Sequence, residues 1–209
     1  MDGTPTGAGE CKPAAIGRAT VWTAPLLLAT HRLSLRPFAP KDAPELQRLA
    51  GQRAVADTMI SIPHPYPDGE AARNIARHAA ELREGRAVHC AITLRQRGQI
   101  IGAIELRDID PEHSQAELSL WIAPLWWKQG YATEAVGAML HFGFEQVGVN
   151  RIYAHHMTRN LASGRVLEKT GLRREGLLRQ RVRKWGVFED VVALAILRQD
   201  WEVRAADGS

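Results

Sequence analysis

Apolar and polar positions alternate through Arg32-Leu33-Ser34-Leu35-Arg36, and a period of two predicts a first strand with one buried face. The pattern then turns helical from about Asp42 to Leu49, opened by Asp and Pro and closed by Gly51. A Pro-rich loop from Ile62 to Asp68 leads into a second helix from about Gly69 to Glu84, stopped at Gly85. Antiparallel strands are expected at Ala87 to Leu94 and Gln99 to Arg107, joined by the turn Gln96-Arg97-Gly98, with a third at Gln115 to Ile122. In that third strand Leu118, Leu120 and Ile122 share one face while Glu117, Ser119 and Trp121 share the other. Pro124 lacks an amide hydrogen and biases Ala123 away from helix, so the strand should peel from its neighbour there and expose a backbone edge. A helix follows from about Thr133 to Val147, stopped by Gly148, and Arg151 to His155 reads as another strand.

No internal repeat or linker divides this order, so one compact α/β (α+β) domain is expected at residues 25–204, after a flexible leader at 1–24 and before a short tail at 205–209. Residues before Leu26 are rich in Gly, Pro, Ala and Thr without periodicity and offer little surface to bury. Pro25-Leu26-Leu27-Leu28-Ala29 is far too short to span a bilayer, and no targeting segment is read at the start, so no membrane partner is expected. Only two cysteines occur, Cys11 and Cys90, which argues against a disulfide framework and for a cytoplasmic setting. An apolar fraction of 45% is ordinary for a globular core, and the net charge of +4 suits anionic ligands without demanding nucleic acid.

Trp127-Lys128-Gln129-Gly130-Tyr131-Ala132 joins the third of these strands to a helix. Small residues at Gly130 and Ala132 let successive backbone N–H groups and the helix N-terminus point at one anion, for which pyrophosphate is the natural occupant. A Walker A loop would end in Gly-Lys followed by Ser or Thr, and no G-x-G-x-x-G follows a predicted strand, which excludes P-loop and Rossmann readings. A second stretch, Asn160-Leu161-Ala162-Ser163-Gly164-Arg165-Val166-Leu167-Glu168-Lys169-Thr170-Gly171-Leu172, follows the Arg151 to His155 strand.

Together these stretches resemble the GNAT (Gcn5-related N-acetyltransferase) superfamily, and within it the RimJ/RimL-like branch that acetylates ribosomal-protein N-termini. The likeness runs from about Leu28 to Trp201, including Thr30-His31-Arg32-Leu33-Ser34-Leu35-Arg36, Ala116-Glu117-Leu118 and Gly186-Val187-Phe188-Glu189-Asp190. It implies a central mixed, mostly antiparallel sheet flanked by helices, whose fourth and fifth strands splay. The pantetheine arm of acetyl-CoA would then pair with the fourth, here Gln115 to Ile122, at Leu120, Trp121 and Ile122. By the same likeness Lys128, Gln129, Gly130, Tyr131, Ala132, Thr133 and Glu134 would bind the pyrophosphate. Asn160 and Arg165 would contact the cofactor, and Ser163 would lie near the thioester sulfur.

The implied chemistry is attack of a neutral amine on a thioester, so a proton acceptor, an oxyanion donor and a donor to the leaving thiolate are needed. A backbone N–H near Trp121 or Ile122 suits the oxyanion, and Ser163 suits the thiolate. For the base, Glu117 is favoured by its strand position, with Glu105 as second choice; both carboxylates could instead serve structure while water takes the proton. The tyrosine that often acts as general acid in the superfamily is replaced by Leu167. His64 and Tyr66 in the Pro-rich loop, with Trp126, are candidates to touch the acceptor. Adjacent strand residues face opposite ways, so His155-His156 does not read as a metal pair, and no metal is expected.

The arginines Arg173, Arg174, Arg179, Arg181 and Arg183, with Lys184, raise an RNA-binding alternative, but their alternation spreads the charge over two faces. The favoured acceptor is a protein N-terminal α-amine such as that of a ribosomal protein, with a polyamine or aminoglycoside-like amine as runner-up. A homodimer is compatible with the sequence.

Overall fold

A computed structural model describes residues 26–207; the stretch expected as a leader lies outside the described residues. Its strands are β1 (Leu28–Ala29), β2 (Leu33–Pro37), β3 (Val88–Leu94), β4 (Ile100–Asp110), β5 (Gln115–Ile122), β6 (Arg151–Met157), β7 (Arg173–Lys184) and β8 (Val187–Leu197). Its helices are α1 (Ala43–Ala50), α2 (Arg53–Thr58), α3 (Glu70–Arg83), α4 (Tyr131–Phe142), α5 (Leu161–Lys169) and α6 (Arg198–Asp207). The strands form one sheet in the order β1-β2-β3-β4-β5-β6-β8-β7. Every neighbouring pair is antiparallel except β5 and β6, which run parallel because α4 carries the chain back to the same end of the sheet.

Sequence expectations and structure differ at several edges. The two-residue β1 moves the splaying strands from fourth and fifth to β5 and β6. The helix expected from Thr133 starts at Tyr131; after Phe142 it widens into a π turn over Gly143–Val147 and ends at Gly148. The short α2 has no periodic signature and no side-chain cap. The last helix, α6, runs on through residues 205–207, where a tail was expected.

The alternation read in β5 decides the layering. On one face Leu118 and Ile122 join Leu33, Val88, Ile92, Ile104 and Ile152 against Val136, Met139 and Leu140 of α4. On the other, Trp121 packs with Ile100 against Leu46 and Leu49 of α1, Val55 of α2 and Ile75 of α3. The result is helix, sheet, helix, with β5 in contact with both cores.

Two local features fix the region around β5. A Cβ built on Gly102, in β4, would lie 2.2 Å from the Trp121 carbonyl oxygen, so only glycine allows the two strands to approach at the fork. Asp42 ties the entry of α1 to β2: its carboxylate accepts from Arg36 Nη1 and Nη2 at 2.7 and 3.0 Å and from the Ala39 N–H at 2.7 Å. Burial alone raises the Asp42 pKa, but these hydrogen bonds outweigh it and hold the carboxyl below its ordinary value of 3.8.

Gly102→Ala is expected to destabilise the fold by about 1–3 kcal/mol through overpacking, read as a lowered denaturation midpoint with an unchanged slope. Asp42→Asn should cost about 2–3 kcal/mol by leaving Arg36 unpaired. The Asp42 contribution is complete above the ordinary value of 3.8 and is lost as pH falls through the lower folded value. Equal acid sensitivity of wild type and Asp42→Asn in unfolding curves below about pH 4 would remove Asp42 from that account.

Candidate active site

The pairing of β5 with β6 stops at Leu118↔Ala154, so Ser119–Ile122 and His155–Met157 part and a cleft opens between them. The cleft encloses about 470 Å³ and is lined by Leu120, Trp121 and Ile122, by the turn, and by the start of α5. In the turn, Lys128 has φ 61° and Gly130 has φ 81°. Such left-handed residues within a turn aim its backbone N–H groups toward one point, forming a nest for an anion. Glu134 is the first residue of α4 whose N–H bonds within the helix, to Gly130 O at 3.1 Å. The N–H groups of Gly130, Tyr131, Ala132 and Thr133 therefore project from the helix end into the cleft mouth.

Arg32 holds this turn from outside. Its Nη1 donates to Gln129 O at 2.9 Å, its Nε pairs with Glu134 Oε2 at 2.7 Å, and its guanidinium lies 4.4 Å from the Tyr131 ring centroid. Glu134 Oε1 accepts from Thr30 Oγ1 at 2.5 Å and from the Arg32 N–H at 2.8 Å. Burial raises the Glu134 pKa, and the Thr30 and Arg32 bonds more than reverse it. Trp127 Nε1 donates to Ile122 O at 2.6 Å, occupying one carbonyl at the tip of the parted strand.

Asn160 caps α5: its Oδ1 accepts from the Ser163 N–H at 3.2 Å, and its Nδ2 donates to Thr58 O at 3.3 Å. This cap sets Ser163 in the first helical turn, on the cleft wall with Arg165 and Lys169. Leu167, where a tyrosine would supply a phenol, is buried in the core and touches the same cleft.

A second cavity of about 660 Å³ lies between α3 and the sheet, lined among others by Tyr66, Asn74, His78, Glu81, His89 and Glu105. The two cavities share Met59, Ser61, Arg107, Ser119, Leu120 and Trp121, so they meet at the fork of β5 and β6. A continuous chain of polar side chains runs below the junction. His89 stands 2.8 Å from Glu81 through Nε2 and 2.8 Å from Glu105 through Nδ1. Arg107 reaches Glu105 Oε1 at 3.2 Å and Glu117 Oε2 at 3.2 Å, and Glu117 Oε1 lies 3.1 Å from His155 Nδ1. His78 stacks on His89 at 3.7 Å between ring centroids, and burial chiefly, with the nearby His89 charge, pushes its pKa down to about 3. Burial raises both Glu105 and Glu117, but the His89 and Arg107 contacts of the first and the His155 and Arg107 contacts of the second bring each below its ordinary value.

The structure gathers most of the residues singled out in the sequence. Leu120, Trp121, Ile122, Lys128, Gly130, Tyr131, Ala132, Thr133, Asn160, Ser163 and Arg165 line the fork cleft, with Glu117; Glu105 and Tyr66 line the second cavity. The remaining candidates are placed differently. Neither Gln129 nor Glu134 lines the cleft: the Gln129 side chain donates to Leu125 O, and the Glu134 carboxylate and N–H are both engaged. Trp126 lines the fork cleft, edge-on to Tyr131. His64 lines neither cavity; its ring faces Trp185 at 6.3 Å between centroids. Arg32, Arg107 and His155 carry no site motif of their own, and their parts here follow from strand register. Among the described residues no group of three or more His, Cys, Asp or Glu side chains is placed to hold a metal ion. No helix among them is long and apolar enough to cross a membrane.

Residues 32–173 match the acetyltransferase (GNAT) domain family, more than half of the chain. An uncharacterised N-acetyltransferase, YoaA of Bacillus subtilis, is 30% identical over 177 residues, covering 82% of this chain and 97% of YoaA. Among solved structures, Mycobacterium smegmatis RimJ in complex with CoA-disulfide superposes with a TM-score of 0.74 at 25% identity, covering 84% of this chain and 89% of RimJ. Spermidine N-acetyltransferase from Vibrio cholerae, in complex with CoA and spermine, has the same fold, with a TM-score of 0.74 at 22% identity and coverage of 83% and 99%. The free helix-end amides, the nest and the exposed Lys128, Arg165 and Lys169 fit a pyrophosphate, and the parted strand fits an amide-bearing arm beside it. With that fit and these similarities in hand, the chain belongs to the GNAT family of acetyl-CoA-dependent N-acetyltransferases.

Proposed function

We propose that this acetyltransferase modifies the N-terminal α-amine of a protein, a ribosomal protein being the favoured acceptor, and that the α3-side cavity receives it. The observation that carries this reading is the charge state of that cavity. Its inner carboxylates, Glu81 and Glu105, are already matched by His89 and Arg107. A polyamine carries several ammonium groups and calls for unpaired carboxylates; one α-amine does not. An α-amine has a pKa near 8 against about 10.4 for a lysine-type amine, so at pH 7.5 about a quarter is neutral against roughly 0.1%. Asn74 Oδ1 and His78 Nδ1, buried in the wall of that cavity, have no hydrogen-bond partner.

Acetyl-CoA supplies the activated acetyl group, and the chain's residues do the rest. The amides of Gly130 to Thr133, with Lys128, hold the diphosphate, and β5 beyond Leu118 aligns the arm. Ser163, fixed by the Asn160 cap, donates toward sulfur as the thiolate leaves. Leu167 offers no proton, which leaves that task to the hydroxyl.

Ser163→Ala is expected to lower kcat by about 10²-fold or more while acetyl-CoA affinity by calorimetry stays within about twofold. Equal losses in both would reassign Ser163 to cofactor binding. Against a panel of ribosomal-protein N-terminal peptides, spermidine and an aminoglycoside, mass spectrometry should find the acetyl group on a peptide α-amine with the highest kcat/KM. Preference for spermidine would replace the protein acceptor with a polyamine.

A further inference from the structure

Glu117 is poorly placed to take a proton itself, because both of its oxygens are engaged: Oε2 by Arg107 at 3.2 Å and Oε1 by His155 at 3.1 Å. Those contacts also outweigh burial and hold its pKa below the ordinary carboxylate value, which makes it a weaker base. A carboxylate only accepts, so the His155 Nδ1–H donates to it and the neutral ring keeps its lone pair on Nε2. His155 is the first residue of β6 beyond the last β5 pair, Leu118↔Ala154. Its counterpart across the fork is Ser119, one of the residues that both cavities share. The side chain lines the cleft and remains 24% exposed, and no hydrogen bond engages Nε2.

We propose that His155 is the catalytic base and that Glu117 is its positioning residue, fixing the tautomer and stabilising the imidazolium that forms. This rests on the acetyl-transfer reading above and replaces Glu117 as the proton acceptor. The amine nitrogen attacks the thioester carbonyl carbon, forming the C–N bond as its N–H proton passes to His155 Nε2. The tetrahedral oxyanion collapses and the C–S bond breaks. The thiolate takes up one proton through the Ser163 hydroxyl and solvent, and the imidazolium releases one to solvent, so a single proton moves from nitrogen to sulfur with no oxidant or reductant.

The groups facing the imidazole are Glu117 from β5, Arg107 from β4 behind it and Tyr153 on its own strand, with the ring centroids of Tyr153 and His155 5.6 Å apart. On β8 its partner is the uncharged Ala193, while Lys128, Arg165 and Lys169 line the same cleft further out. The imidazole must be neutral to act, so activity should fall on an acidic limb as pH drops through its titration.

The test measures the pH dependence of kcat/KM for wild type, His155→Gln and Glu117→Gln, acetyl-CoA affinity by calorimetry, and the His155 ring titration by NMR in wild type and Glu117→Gln. Expected are a loss in kcat of about 10²–10⁴-fold for His155→Gln with affinity within about twofold, disappearance of the acidic limb, and a downward shift of both limb and ring titration in Glu117→Gln. His155→Gln turning over within about threefold of wild type with its limb intact overturns the assignment, as does an unmoved His155 titration in Glu117→Gln. Should His155→Gln fail to fold, the Glu117→Gln titration and limb decide alone. A wild type that acetylates no amine while binding acetyl-CoA defeats the acetyl-transfer reading, an outcome distinct from an active wild type matched by His155→Gln.

Discussion

Parallel strands in the interior of a sheet ordinarily satisfy each other's backbone groups along their whole length, and β5 and β6 do so for only four residue pairs. Everything else in the molecule accommodates that interruption. Beyond Leu118 the outer edge of β5 must find other partners. The Trp127 indole takes the Ile122 carbonyl, while Gly102 lets β4 support the strand from its other side. The cores on the two faces meet at β5, so the parted strand stays rigid while its backbone is open. A guest chain with amide groups, such as the arm of the donor, would find there the backbone groups that the ladder leaves unpaired.

Electrostatics then divides the labour between the two sides of the fork. On the donor side the charges are aligned: helix-end amides, the nest at Lys128 to Gly130, and exposed cations. On the α3 side carboxylates and nitrogen-bearing partners alternate, from Glu81 through His89, Glu105, Arg107 and Glu117 to His155. Such a chain holds each member in one orientation and makes each pKa depend on its neighbours. It explains why neither Glu105 nor Glu117, attractive as bases in isolation, retains ordinary basicity.

Much of this was legible in the chain. Period-two alternation located the strands and assigned the faces of β5, and the glycine turn with the Asn160 to Leu172 stretch marked residues that line one cleft, because these signals are local. What stayed hidden was non-local. Arg32 and Glu134 meet across 102 residues, and His155 meets Glu117 across 38, so only the register of the sheet joins them. His155 beside His156 carries no signal in the sequence beyond facing opposite ways, and the second of the two is buried with its Nδ1 bonded to Met157 O at 2.9 Å. His64 looked like an acceptor-facing residue of the Pro-rich loop, yet its ring turns toward Trp185, whose position depends on a distant hairpin. The six-residue α2 carries too few residues for a period and no cap to announce it.

The contrast between unpaired cations at Lys128, Arg165 and Lys169 and the paired network of Glu81, His89, Glu105 and Arg107 has a consequence for the ionic environment. At physiological ionic strength charges are screened over about 8 Å, and exposed ones feel this most. Rising salt would therefore weaken the pull of these cations on an anionic ligand far more than it disturbs the Glu81, His89, Glu105 and Arg107 contacts, which are made at hydrogen-bond distance. Ionic strength would thus act unequally on the two sides of the fork, chiefly on the side that carries unpaired cations.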